Sequence, residues 1–267
     1  MPGPEFRRPP VIERVLTVQF QELLEFDVVH YGKWHDRVSR AFPRVRREHR
    51  LERIVEPFPF RLLPGRMPFG LDPSPPLPRL VCAEDDRDHG TLLQIQPDRF
   101  AMNWRREVND GSYPRFEDTS TQFRKWFEEL HQFCVSEKIQ TPVVDMCEVT
   151  YVNRMVCPPG ATGVEYLGEV LHGLCTNKHL EELGVARAAV FNQLFDFPDQ
   201  RGRLYAEASV GAMATGEYVL LKLTGRALVE SDLMWSDRLS SAHDWVVNGF
   251  VALTKESIRA SVWEQVT

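Results

Sequence analysis

The residue types best suited to directed recognition fall on two short stretches that read as strands. Arg99, Asn103, Trp104 and Arg105 lie on one, and Tyr151, Asn153 and Arg154 on the other. Arginine and asparagine projecting from a rigid sheet can grip an anionic or planar ligand through several directed hydrogen bonds. These seven residues are the candidate ligand- or partner-binding set. The competing account is a solvated sheet face whose Asn and Tyr bond to local backbone. A second constellation is His172, Cys175 and His179, at i, i+3 and i+7 of one expected helix. Histidine and cysteine are good zinc ligands, but a fourth ligand is missing and leucines flank the three, so no metal site is assigned.

A third is Arg37, Arg40, Arg44, Arg46, Arg47, Arg50 and Arg53, seven arginines in seventeen residues. They form a potential phosphate-binding strip. Glu48 and Glu52 can pair with them at helical spacing, and no interleaved aromatics offer base stacking. An acid-paired or solvated face is therefore favoured over a nucleic-acid strip. Acid–base material occurs at Asp85-Asp86-Arg87-Asp88-His89 and at His243-Asp244. Neither comes with a nucleophile in a known setting, and GxSxG, HExxH, P-loop and GxGxxG motifs are absent. No catalytic residue and no cofactor is assigned.

The totals bound the setting in which such residues could act. At 267 residues, 43% hydrophobic and 26% charged, the chain can bury a full core. No apolar run approaches the roughly 18 residues of a membrane helix, and Met1–Pro10 lacks a signal-peptide core. Five irregularly spaced cysteines without a CxxC pair fit reduced thiols. A cytoplasmic protein is expected. The net charge of −6 is carried by residues 142–267, with 10 basic and 16 acidic side chains, whereas residues 1–141 hold 22 of each. That balance argues against general nucleic-acid binding.

The elements that would position these residues follow one plan used twice. In residues 1–141, Val11–Phe20 reads as a strand and Tyr31–Phe42 as a helix. A Pro-rich loop over Pro57–Pro78 precedes the strands Leu92–Gln96 and Arg99–Trp104, joined at Pro97-Asp98. Leu93, Ile95, Phe100, Met102 and Trp104 share one expected face, and Arg99, Asn103 and Arg105 the other. A long helix spans Thr119–Lys138 on a Phe123, Trp126, Phe127, Leu130, Phe133 stripe. In residues 142–267 the same order returns: strand Val143–Val156, helix Glu165–Leu183, strands Ala188–Phe195, Arg203–Val210 and Tyr218–Thr224, and a final helix Asp237–Trp263. The expected class is α+β, an internal duplication of strand–helix–strands–long helix in which an antiparallel sheet is covered by long helices. Helix-grip and TATA-binding-like folds are analogies for it.

Four stretches carry a resemblance beyond the plan: PPVIERVLTVQF (Pro9–Phe20), LLQIQPDRFAMNWRR (Leu92–Arg106), VTYVNRM (Val149–Met155) and HDWVVNGFVALTKESIRASVWE (His243–Glu264). Together they resemble a sporadically distributed family of uncharacterised prokaryotic proteins of about this length. The resemblance implies genes travelling with mobile or defence loci, CRISPR-type ones included, where accessory proteins act by binding partners. The long Pro-rich loop departs from the family pattern and offers a private interaction surface.

These readings converge on a non-enzymatic accessory or regulatory protein that recognises a protein partner, the Pro-rich loop being the expected contact. The alternatives are a small-ligand sensor with a pocket lined by Trp104, Tyr151, Asn153 and Arg154, and a nucleic-acid binder using Arg37–Arg53. No membrane association is expected, and a homo-oligomer is compatible with the sequence.

Overall fold

A computed structural model describes residues 5–54, 56–57, 77–85, 90–106, 113–173, 184, 186–230 and 234–266. The fold is α+β. A single nine-stranded antiparallel sheet has the order β2-β3-β4-β5-β1-β6-β9-β8-β7. Its strands are β1 (Val11–Phe20), β2 (Arg44–Glu48), β3 (Arg79–Ala83), β4 (Gly90–Gln96), β5 (Arg99–Arg105), β6 (Val144–Val156), β7 (Val190–Asp196), β8 (Gly202–Met213) and β9 (Gly216–Leu228). Among the described residues five helices accompany them: α1 (Val28–Val38), α2 (Phe116–Glu137), α3 (Gly163–Val170), α4 (Trp235–Leu253) and α5 (Glu256–Ser261). Among the described residues no helix is long and apolar enough to cross a membrane.

The seam of the sheet is the antiparallel pair β1–β6, with Leu16 opposite Val149 and Val15 opposite Thr150. It joins residues 1–141 to 142–267 in one sheet, with β5, β4 and β3 running outward on one side and β9, β8 and β7 on the other. Alternation along β1 sends Leu16, Val18 and Phe20 to one face, where Phe20 and Phe100 meet Phe127 and Phe123 of α2. Helix α2 presents Phe123, Phe127, Leu130 and Phe133 at three- and four-residue spacing, one buried stripe against the sheet. Helix α4 does the same over β6, β9 and β8 with Leu239, Ala242, Val246 and Phe250.

The opposite face has no helix among the described residues. It is crossed near one end by residues 49–54 and 56–57. Leu51 exchanges two hydrogen bonds with the Gln96 side chain, Ile54 N donates to Gln19 Oε1, and Arg99 Nη2 donates to Glu52 O. Glu56 ends this strap, accepting from Arg203 Nη1 at 2.7 Å, Arg226 Nη1 at 2.9 Å and the Tyr205 hydroxyl at 2.5 Å.

Several expected boundaries shift for identifiable reasons. Helix α1 starts at Val28 because Asp27 caps it, accepting from Val29 N and His30 N, and it ends at Val38. Helix α3 ends at Val170, not Leu183: Leu171 turns extended and bridges to Thr254, and His172 N bonds Leu253 O. The final helix breaks at the same place, since Thr254 is extended and its hydroxyl bonds Phe250 O; α5 follows separately. Strands β2 and β3 have no counterpart in the sequence reading.

Candidate functional site

On the helix side, where β1 meets β6, a cavity of about 550 Å³ opens between the N-terminus of α2 and the middle of α4. Its floor is Arg14 of β1 with Tyr151 and Asn153 of β6. Tyr113, Arg115 and Phe116 form the α2 wall, and His243, Val247 and Phe250 the α4 wall. Phe6 closes another side, held by edge-on contacts with Phe250 and Trp263 and by backbone bonds from Arg7 and Arg8 to Glu264 and Trp263. The local sequence explains this placement. Arg14 continues the even-numbered, core-facing series Leu16, Val18, Phe20, so the strand's alternation delivers a guanidinium to the helix side.

Arg14 is 1% exposed. Its Nη1 donates to Thr119 Oγ1 at 2.7 Å and to Arg115 O at 3.3 Å. Its guanidinium carbon sits 4.7 Å from the Tyr113 ring centre and 4.9 Å from that of Tyr151. Arg99, Arg203 and Arg238, equally buried, each have a carboxylate within 4 Å; among the described residues Arg14 has none. A buried cation without a counter-ion is expensive, by several kcal/mol. Arg14 Nε, the Tyr151 hydroxyl and Asn153 Oδ1 are buried without a properly placed hydrogen-bond partner, and all three residues line this one cavity. Asn153 Nδ2 is satisfied by Leu221 O at 3.1 Å. Burial pushes the Tyr151 phenol well above its ordinary range.

His243 lies flat on Phe116, with ring centres 3.7 Å apart, and its Nδ1 is 3.3 Å from Asp244 Oδ1. Burial first, then the Arg14 charge, lowers its pKa, so the ring facing the cavity is neutral over more of the pH scale. The His243-Asp244 pair of the sequence therefore exists. The described lining holds no Ser, Thr or Cys to serve with it as a nucleophile.

The structure parts the sequence-predicted set. Tyr151 and Asn153 come together on the helix side. Trp104 lines a neighbouring cavity of about 240 Å³ with Tyr113, Thr119 and Gln122, its ring edge-on to Tyr113. Arg99, Asn103 and Arg105 point to the opposite face, as alternation requires, and there they serve the chain itself. Arg99 lies 3.7 Å from Glu148, while Asn103 and Arg105 both donate to Glu13 Oε1, at 2.5 and 2.8 Å. Arg154 is exposed and lies opposite Leu220, off the cavity. The seven-residue candidate set and the pocket including Arg154 are thus not single sites, because one-residue steps along a strand change face.

The arginine strip is likewise dispersed, over α1, the edge strand β2 and the strap. Arg37 pairs with Glu129, Arg46 with Glu48, Arg50 with Glu22 and Asp98, and Arg53 with Asp145. The partners come from other elements or from i+2 along a strand, in place of the helical spacing expected. His172 lies past the end of α3, and Cys175 and His179 fall outside the described residues, as do residues 58–76 of the Pro-rich loop and Asp86–His89. Sequence reading missed Arg14, Tyr113 and Phe116. The available signal was a charged residue in phase with the apolar face of β1.

Comparison with protein-family models, with curated proteins and with solved structures finds no match to this chain.

Proposed function

We propose that the chain is a non-enzymatic binding protein whose ligand is a small, partly apolar organic molecule held between the helices and the seam of the sheet. One conjunction supports this reading: a cavity of about 550 Å³ whose walls carry three buried polar atoms without partners. Small-molecule sites commonly occupy about 300–1,000 Å³ and combine apolar walls with a few convergent polar groups. Residues before and after position 141 both supply walls, so a bound molecule would tie α2 to α4. It would report its presence as a tightening of the fold, the behaviour of a sensor.

A cytoplasmic accessory role in a mobile or defence locus, and membership of the family that the four motif stretches resemble, belong to the same proposal. Four free cysteines among the described residues agree with a reducing compartment. Direct capture of a protein partner rests on Pro57–Pro78, most of which lies outside the described residues, so the cavity carries the better supported reading.

Native mass spectrometry of gently purified protein, followed by thermal unfolding against a library of small metabolites, tests it. A stoichiometric small extra mass, or a compound that raises Tm in proportion to its concentration, is expected. A bare chain whose Tm no compound moves would overturn it.

A further inference from the structure

Resting on the cavity being a ligand site, we infer that its ligand is a monoanionic carboxylate carrying an adjacent N–H or O–H donor and an apolar body. Four observations select this chemistry.

Charge comes first. Arg14 is the one described buried arginine without a carboxylate within 4 Å. A single negative charge placed beside it completes the pairing that Arg99, Arg203 and Arg238 already have within the chain. The other charged side chains lining the cavity do not do this. Arg115 and Glu5 stand 3.7 Å apart and are largely exposed, Arg7 is exposed at the rim, and Glu117 lies in the exposed first turn of α2.

Donors come next. Arg14 Nε is buried and unpartnered on the cavity floor, the Tyr151 hydroxyl lies near Tyr113 and Arg14 without a well-oriented hydrogen bond to either, and a carboxylate's two oxygens can accept from both. The same cavity reaches the first turn of α2, a 22-residue helix whose N-cap residue, Arg115, makes no capping hydrogen bond from its side chain. Its free N–H groups and positive dipole end favour an anion at that wall.

The third observation has the opposite polarity. Asn153 Oδ1 is an acceptor left open while its Nδ2 is engaged by Leu221 O. An anion cannot satisfy it, so the ligand must bring a donor as well. The fourth is the remaining wall, where Phe6, Phe116, Val247 and Phe250 offer apolar surface and aromatic faces to the rest of the molecule. N-acylated amino acids and aromatic hydroxy acids have all three parts. A phosphate monoester, with nearly two charges at neutral pH, exceeds what the one buried arginine neutralises, since Arg7 and Arg115 lie in the solvated rim.

The test uses matched pairs on the full chain: N-acetylphenylalanine, N-acetylleucine and N-acetyltryptophan, each against its carboxamide, with phenyl phosphate as a third arm, read by calorimetry and thermal unfolding. Acids are expected to bind about tenfold or more tighter than their carboxamides, with phenyl phosphate weaker than the acids. Arg14→Met should abolish the acid preference, and Arg14→Lys, which keeps the charge but not the fork, should retain it at reduced affinity. The wild-type comparison stands even if Arg14→Met does not fold. Carboxamides or phenyl phosphate bound as well as the acids would overturn the carboxylate inference and leave the cavity reading standing. No binding by any member would overturn both.

Discussion

Gly225 of β9 lies directly beneath Ala242 of α4: a Cβ built on Gly225 would come 2.5 Å from the Ala242 carbonyl oxygen. The helix backbone itself occupies the space where a side chain would be. The height of α4 above the sheet, and with it one wall of the cavity, is set by the absence of that atom.

Gly225→Ala is expected to lower stability by about 1–3 kcal/mol, because a backbone oxygen cannot rotate aside as a side chain can. The paired control is Gly32→Ala in α1, where nothing lies within 4 Å of the added carbon. That change should raise stability by up to about 1 kcal/mol through helix propensity. Urea unfolding of the two variants checks both signs.

Glu56 is 6% exposed and shared by Arg203, Arg226 and Tyr205. Removing its charge takes one of two carboxylates from each of two guanidinium groups, since Arg203 keeps Asp196 and Arg226 keeps Glu148. Glu56→Gln should cost about 2–3 kcal/mol. Glu207→Gln, which breaks a half-exposed pair with Lys222 at 3.0 Å, should cost no more than about 1 kcal/mol. Equal losses in the two variants would contradict the burial argument.

Burial and the neighbouring Arg14 lower the pKa of His243 below its ordinary 6.5. The unfolded chain therefore binds a proton at this site that the folded chain resists. The contribution is complete above the unfolded value and is lost as pH falls below it. Stability should decline as pH drops from about 7 to about 5. His243→Phe keeps a ring on Phe116 and removes the proton site, so its stability should fall less over that interval. Parallel pH profiles for the two proteins would rule out the linkage.

Thiol chemistry gives an independent reading of the core. Burial pushes Cys82 up to about 12 and Cys134 to about 11, and raises Cys147 further still. Of the four described cysteines only Cys157 is partly exposed. At about pH 8, alkylation of native protein followed by peptide mapping should modify Cys157 well before the other three.

Much of the scaffold was legible because its signals are local. Alternation in β1, β5, β6 and β9 and the aromatic stripe of α2 each follow from a period of two or of 3.6. Strand β2 was not legible: RVRRE carries four charges and one apolar residue, and it pairs only because β3 lies beside it. The break after α4 depends on Leu171 meeting Thr254, a contact 83 positions apart that no window can contain. The site was half legible for the same reason. Tyr151 and Asn153 stood out as polar residues on a central strand. Arg14 became significant only once β1 was paired with β6 and α2 was laid across it. The open face was misread as free to bind, since the partners of Arg99, Asn103 and Arg105 come from β1, β6 and the strap.

The strap has a consequence for the order of events during synthesis. Arg53 and Glu56 leave the ribosome long before Asp145, Arg203, Tyr205 and Arg226, the residues that hold them. The strap can dock through Leu51, Glu52 and Ile54 on Gln96, Arg99 and Gln19 as soon as residues 1–141 exist, but its end at Glu56 stays open until β8 and β9 have been made. The last contacts to close are therefore among the most distant in sequence. Such long-range closure folds late and slowly, and a nascent chain stalled before β8 carries Glu56 without any of its three partners.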